Sequence, residues 1–400
     1  MGSSPIPRIT HKKESVYHMV VDFISQFLKD AEASGSRRRL RSIIPVSARE
    51  CIVDGWKCID FSSNNYLALA DHPKLKEEAV RWTKLYGAGS RASRLVTGTF
   101  APYLELENKI AAWKGSEAAL ILGSGFLANT GVIPALADRT SAIFADKLNH
   151  ASLNAGAQLS GAGFKRYRHL DYKHLGDFID NDTSPRRIII SDTVFSMDGD
   201  AADVKQLESI AVEHDALLYL DDAHATGIFG DKGEGLACRA GGAFIAMGTF
   251  SKALGSYGAY IACSEEMKEY LVNKCSTFIF STALPPAAYG AIDAAVDLVQ
   301  SREYCGIRRE LLQKSANLAK EIRRLGFETG ATSTPIIPVI VVDSEKALRI
   351  SRNLLEKGIL AVAIRPPTVP KGTARLRLSV NAAHTEDDIS MLLQELSANR

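Results

Sequence analysis

Lys252 lies in the run Gly248-Thr249-Phe250-Ser251-Lys252-Ala253-Leu254-Gly255, where small neighbours leave its amine free to approach a flat molecule. Thirty-one residues earlier, Asp221-Asp222-Ala223-His224 closes the apolar run 216–220. An amine that can form an imine and a carboxylate that can keep a ring nitrogen protonated are the two requirements of pyridoxal phosphate chemistry. The spacing leaves room for one further strand and its loops. A lone lysine is ordinarily a solvated surface charge. This one is accompanied, in order, by Ser124-Gly125-Phe126, His150, Ser196 and Asp221.

Each companion is weak alone. Gly123-Ser124-Gly125-Phe126 follows an apolar run and opens a helical pattern, so backbone N–H groups and a helix N-terminus could cradle a phosphate. Glycine turns of this kind occur in many α/β proteins. Thr249, three residues before Lys252, could add a hydroxyl to the same anion. His150 is either a surface loop histidine or a ring that stacks on the cofactor and meets the substrate carboxylate. His224 could orient Asp221 or approach the cofactor's O3′, and Ser196 sits in what could be a plain turn. All follow strand ends, where open α/β sheets place their ligands.

Composition bounds the alternatives. The 400 residues carry a net charge of +2 and 46% hydrophobic residues, which gives no basic field for nucleic acid or an anionic membrane surface. No apolar stretch approaches the roughly 18 residues of a membrane-spanning helix. Residues 1–13 lack the apolar centre of a signal peptide. The six cysteines are scattered without zinc-ligand spacing, so reduced thiols in a cytoplasmic protein, with no metal, are expected.

The elements that must position these residues follow from periodicity. Val16, Val20, Phe23, Ile24, Phe27 and Leu28 recur at helical spacing, with Gly35 as a stop. Cys51-Ile52-Val53 and Trp56 to Ile59 flank Asp54-Gly55, a pair suited to a type I′ hairpin turn. Apolar runs at 120–122, 142–145, 187–191, 217–221, 244–247 and 260–263 read as strands, most of them covered by helices on both faces. This predicts a doubly wound, mostly parallel α/β sheet. A helical pattern from Pro285-Pro286 to about Arg324 breaks near Arg302-Glu303. Then come strand 336–342, helix 344–357, strands 360–363 and 374–380, and helix 386–397. The expected division is a helix-and-hairpin segment at 1–60, a large cofactor domain at 61–298 and a small α+β domain at 299–400.

Several segments together resemble fold type I pyridoxal-phosphate enzymes, and more narrowly the α-oxoamine synthases. They are Asp60 to Leu67, Ser93 to Thr99, Phe195 to Gly199, Asp221 to His224, Thr249 to Lys252 and, near the C-terminus, Ala363-Ile364-Arg365-Pro366-Pro367-Thr368-Val369-Pro370 with Gly372 to Leu378. The last segment most resembles members that condense L-alanine with a pimeloyl thioester, carried by CoA or a carrier protein, to 8-amino-7-oxononanoate for biotin. The sister activity joining glycine to acetyl-CoA is the nearest alternative, a serine palmitoyltransferase-like or 5-aminolevulinate synthase-like activity comes after it, and a scaffold that keeps the fold without the cofactor is a distant one.

The resemblance implies roles. Lys252 would hold the cofactor as an imine and act as acid and base, while Asp221 pairs with the ring nitrogen. His224 would contact O3′, and His150 would stack on the ring. Ser196 and Thr249 would touch the cofactor, with Gly125 and Phe126 at its phosphate end. Arg377 would bind the amino-acid carboxylate beside Asn64. Thr368 and Arg41 would meet the acyl substrate, with Arg37 to Arg39 as competitors for Arg41's place. Ser281 and Thr282 would reach the neighbouring subunit's cofactor phosphate, which implies a homodimer.

Overall fold

The computed structural model describes residues 12–33, 36–241 and 244–400; Gly35 and the side chains of Val16 and Val20 lie outside what it describes. Seven strands form the central sheet in the order Ala118–Leu122, Ala259–Cys263, Phe244–Thr249, Leu217–Asp221, Arg186–Asp192, Ser141–Asp146, Gly163–Tyr167. All neighbours run parallel except Ala259–Cys263, which is antiparallel to both of its partners. Ala118–Leu122, Ser141–Asp146 and Ala259–Cys263 are buried along their whole length, as strands with helices on both faces must be. The edge strand Gly163–Tyr167 escaped the sequence reading because Lys165 and Arg166 give it no apolar run, and only Tyr167 is buried.

The parallel strands end on one side of the sheet, at Asp146, Asp192, Asp221 and Thr249. The break expected near Arg302-Glu303 is present, dividing the pattern into Pro286–Gln300 and Arg302–Arg324, with Ser301 capping the second by accepting the Tyr304 N–H at 3.3 Å. Beyond it Ile336–Val342, Ala374–Ser379 and Val362–Ile364 form a three-stranded antiparallel sheet.

One expected strand is really two. Ile359–Leu360 pairs in parallel with Trp56–Asp60 of the N-terminal hairpin, and after Ala361 the chain switches sheets so that Val362–Ile364 pairs with Ala374–Ser379. The hairpin, Glu50–Val53 and Trp56–Asp60, turns at Asp54 (φ 51°) and Gly55 (φ 88°), both left-handed as a type I′ turn requires. A further strand, Ile43–Pro45, lies along its outer edge. The first helix, Lys12–Ala33, leaves Val21, Phe23, Ile24, Phe27 and Leu28 exposed, with Phe23 at 73%.

Candidate active site

Asp221 is 3% exposed at the end of its strand. Its Oδ1 accepts the Ala223 N–H at 3.0 Å, and its Oδ2 accepts the Asn129 side-chain amide at 2.8 Å. Asn129, on the helix Gly125–Leu136, is itself fixed: Tyr219 donates to its carbonyl at 2.7 Å, and its amide also reaches Ser152 Oγ at 2.8 Å. Ser152 Oγ lies 2.7 Å from His150 Nδ1. One hydrogen-bonded chain therefore joins Asp221 to His150. His150 caps the helix Ala151–Ser160, and its backbone N–H donates to Asp192 Oδ2 at 2.6 Å. Asn129, Ser152, Tyr219 and Asp192 were not singled out in the sequence. Polar residues inside helices and strands carry no periodic signal of their own.

Lys252 follows the strand Phe244–Thr249, where desolvation pushes its amine down to about 8; Asp221 and Asp192 pull upward and Arg377 adds to the fall. Burial also holds His224 well below the ordinary histidine range, reinforced by Lys252, Arg377 and His150. Its Nδ1 lies 2.8 Å from the Tyr66 hydroxyl. His150 is lowered by desolvation in the cleft and by Lys252, against the pull of Asp221. Asp192 is the register partner of Asp221 on the adjacent strand. Desolvation and then Asp221's charge raise its carboxyl well above the usual range.

At the other end of the cleft, Ser124 Oγ accepts the Leu127 N–H at 3.2 Å and starts the helix Gly125–Leu136. The first-turn amides of Gly125 and Phe126 are thus left for an anion at the positive end of the helix. Thr249 sits at its strand end with its hydroxyl donating to the Gly258 carbonyl at 2.8 Å and accepting the Ser251 N–H at 3.2 Å.

Arg375 and Arg377 share one face of the strand Ala374–Ser379 and are both buried, but they differ in partners. Arg375 pairs with Asp198 at 2.6 Å. Among the described residues Arg377 has only neutral acceptors: the Ser196 carbonyl at 2.5 Å, Ser379 Oγ at 2.8 Å, Asn64 Oδ1 at 3.1 Å and the Tyr66 hydroxyl at 3.3 Å. A guanidinium 7% exposed without a carboxylate is arranged for one that arrives. Ser196 serves it through its backbone carbonyl.

These groups fit pyridoxal phosphate by their chemistry: a depressed amine, a doubly anchored carboxylate, a ring at His150 and unspent amides at a helix end. The family profile for aminotransferase class I and II matches residues 57–396. The chain belongs to that family. Relatives named 8-amino-7-oxononanoate synthase, from Gluconacetobacter diazotrophicus and Trichlorobacter lovleyi, are each 45% identical over 383 residues, covering 92% and 95% of this chain and 96% and 98% of their own. The solved structure of Sphingomonas wittichii serine palmitoyltransferase superposes with a TM-score of 0.88 at 26% identity, covering 94% of this chain and 96% of that one. The α-oxoamine synthase branch read from the motifs is the one these relatives occupy.

In this aminotransferase-family chain a cavity of about 980 Å³ opens beside Asp60, Ser62 and Ser63, just before Asn64. Leu360, Val362 and Thr368 line it, as do Arg37, Arg38, Arg39 and Arg41. Three of these arginines have a carboxylate partner within the chain: Arg37 and Arg39 share Glu32 at 2.9 and 3.3 Å, and Arg41 has Asp54 at 3.9 Å. Arg38 instead donates to Thr368 Oγ1 at 3.2 Å. Ser281 and Thr282 lie elsewhere, where Thr282 bridges Ser93 and the next residue, Ala283, donates to the Ala92 carbonyl at 3.1 Å. Among the described residues no hydrogen bond joins either to Lys252 or Asp221 within the protomer.

Proposed function

We propose that the chain condenses L-alanine with a pimeloyl thioester, on CoA or a carrier protein, and releases carbon dioxide to give 8-amino-7-oxononanoate. The observation that carries this reading is Arg377: a buried cation with neutral partners among the described residues, bonded at 3.1 Å to Asn64, which directly follows Ser63 of the cavity lining. The 45% identity to relatives bearing that synthase name supports the choice of substrates.

The bound cofactor would supply an electron sink that stabilises negative charge at the amino-acid Cα. Lys252 would hold the cofactor and, once freed, take the Cα proton. Desolvation prepares it, since an amine lowered to about 8 is a far better base at neutral pH than one at the ordinary value of about 10.4. Asp221, fixed by Asn129 and the Ala223 amide, would face the ring nitrogen with its negative charge. His150 would lie on the ring face, and His224, kept neutral by burial, would donate or accept at O3′. Gly125 and Phe126 would hold the phosphate, joined by Thr249 once its O–H turns from the Gly258 carbonyl. Arg377 would fix the substrate carboxylate and so select which Cα bond stands perpendicular to the ring and breaks. Thr368 would steady the acyl donor. Ser281 and Thr282 would act across a homodimer interface, at the partner's cofactor phosphate.

The test offers purified holoenzyme alanine or glycine against pimeloyl-CoA or acetyl-CoA, reading thiol release and product mass. Alanine with pimeloyl-CoA should be the productive pair. Robust reaction of glycine with acetyl-CoA, and none with pimeloyl-CoA, overturns the reading.

A further inference from the structure

His169 makes none of the contacts described around Lys252, yet both of its ring nitrogens face carboxylates. Nδ1 lies 2.9 Å from Asp146 Oδ1, and Nε2 lies 2.9 Å from Asp200 Oδ2. A carboxylate only accepts, so each ring nitrogen must carry a proton and the ring is an imidazolium. Desolvation opposes the charge, but the two carboxylates overcome it and raise the ring to about 10. Phe195 meets the ring edge-on with centroids 4.4 Å apart. The other titratable groups around the pair are Tyr167 and Tyr172, which burial raises, and Asp192, raised by burial and by the charges of Asp221 and, more weakly, Asp146.

What the imidazolium holds is the turn that serves Arg377. Residues 195–200 close on themselves through the Val194–Ala201 bridge, the Phe195 N–H to the Asp200 carbonyl at 3.0 Å and the Gly199 N–H to the Phe195 carbonyl at 2.9 Å. On its outer side the turn presents the Ser196 carbonyl to Arg377 Nε and Asp198 to Arg375. The Gly199 carbonyl accepts the Ser333 N–H at 3.1 Å. His169 therefore pins one side of the turn to the end of the strand Ser141–Asp146, and the two arginines pin the other to the strand Ala374–Ser379.

We infer that His169, a cation clamped between Asp146 and Asp200, is a positioning residue that sets the Ser196 carbonyl and thereby aims Arg377 at the amino-acid carboxylate. This rests on the role given to Arg377 above. Glutamine holds its N–H donors on a single nitrogen and carries no charge, so it cannot serve carboxylates beyond opposite ring nitrogens; Asp200→Ala removes the acceptor at Nε2, breaks the same clamp from the other side and stands in should His169→Gln fail to fold.

The experiment titrates each holoenzyme with L-alanine, following the cofactor's absorbance, alongside Tm, kcat and the KM for the acyl donor. Both variants should bind alanine about tenfold more weakly, as for loss of one well-aimed charged contact, and lower kcat as well because Arg377 also fixes which Cα bond breaks, while the acyl-donor KM stays within about twofold of the parent. Nitrogen-15 NMR of the parent should show both His169 nitrogens protonated at pH 8. A lower Tm with unchanged alanine affinity makes the clamp merely structural and overturns the inference, as does a neutral His169 ring. The Arg377→Gln variant separates the two claims. If it binds alanine poorly while the His169 and Asp200 variants bind it normally, the inference alone falls; if it binds alanine normally, both fall.

Discussion

At the residue scale, Lys252 is a partly buried cation and Arg377 a buried one, and each is disposed toward a different consequence. For Lys252 that consequence is a pH dependence. In cofactor-free protein, labelling of Lys252 by an amine-reactive reagent, followed by mass spectrometry, should rise with a midpoint near 8 rather than the usual value of about 10.4. A midpoint above 10 would show that the amine is solvated and not primed as a base. Its depressed value also means that the unfolded chain binds more protons than the folded one above pH 8, so this group's cost to stability shrinks as pH rises toward 10. Arg377 can be separated from its neighbour by charge removal. Arg377→Gln should weaken alanine binding about ten- to a hundredfold through loss of a charged hydrogen-bonded contact worth roughly 1.5–3 kcal/mol. Arg375→Gln should instead leave the Asp198 carboxylate unpaired and lower Tm, with a smaller effect on alanine. The opposite ranking in a binding titration would reverse the assignment of the two arginines.

At the scale of elements, the segments flanking the large cavity divide the labour of holding an acyl donor. Thr368 follows Pro366-Pro367, and its hydroxyl takes the Arg38 guanidinium. Thr368→Ala should raise the KM for the pimeloyl thioester up to about tenfold, for a hydrogen bond of roughly 0.5–1.5 kcal/mol, and leave alanine binding unchanged. Arg38→Gln should do the same, whereas Arg39→Gln, whose charge Glu32 already meets, should do little; equal effects from both would show that the cluster acts only as a diffuse charge. Much of this framework was legible beforehand because buried parallel strands write themselves as apolar runs, and the residues that follow their ends are easily found from Asp221 or Thr249. Arg38 could not be separated from Arg37, Arg39 and Arg41, since which arginine lacks a carboxylate depends on where Glu32 and Asp54 come to lie. His169 was hidden for the same reason: its partners are 23 and 31 residues away and meet it only through the fold. The strand Ile359–Leu360 and its successor were read as one because nothing in the run 359–364 marks a change of sheet.

For the whole molecule, the N-terminal hairpin and the last strands are tied together at a point that senses acid. His384 stacks on Phe61 with centroids 4.1 Å apart, and its Nε2 lies 3.1 Å from the Asp60 carbonyl. Burial pushes it down to about 4, against Asp388 and the Asp60 carbonyl. A histidine lowered from about 6.5 is neutral when folded and protonated when unfolded, so its stabilising contribution is lost as pH falls from about 6.5 toward 4, by up to about 3 kcal/mol. Denaturant midpoints should drop across that window, and His384→Asn should flatten the drop; an unchanged slope would place the acid sensitivity elsewhere. The same region also limits how the chain's length can vary. A single buried residue, Ala361, separates the strand that joins the hairpin from the strand that joins Ala374–Ser379. One residue added there would turn Val362–Ile364 over against Ala374–Ser379, exchanging the two faces on which its side chains stand. The exposed stretch 370–372 carries no such constraint. Among related chains, insertions and deletions should therefore collect at 370–372 and be absent at 361, so that this crossing point keeps its count of residues even where their identities drift.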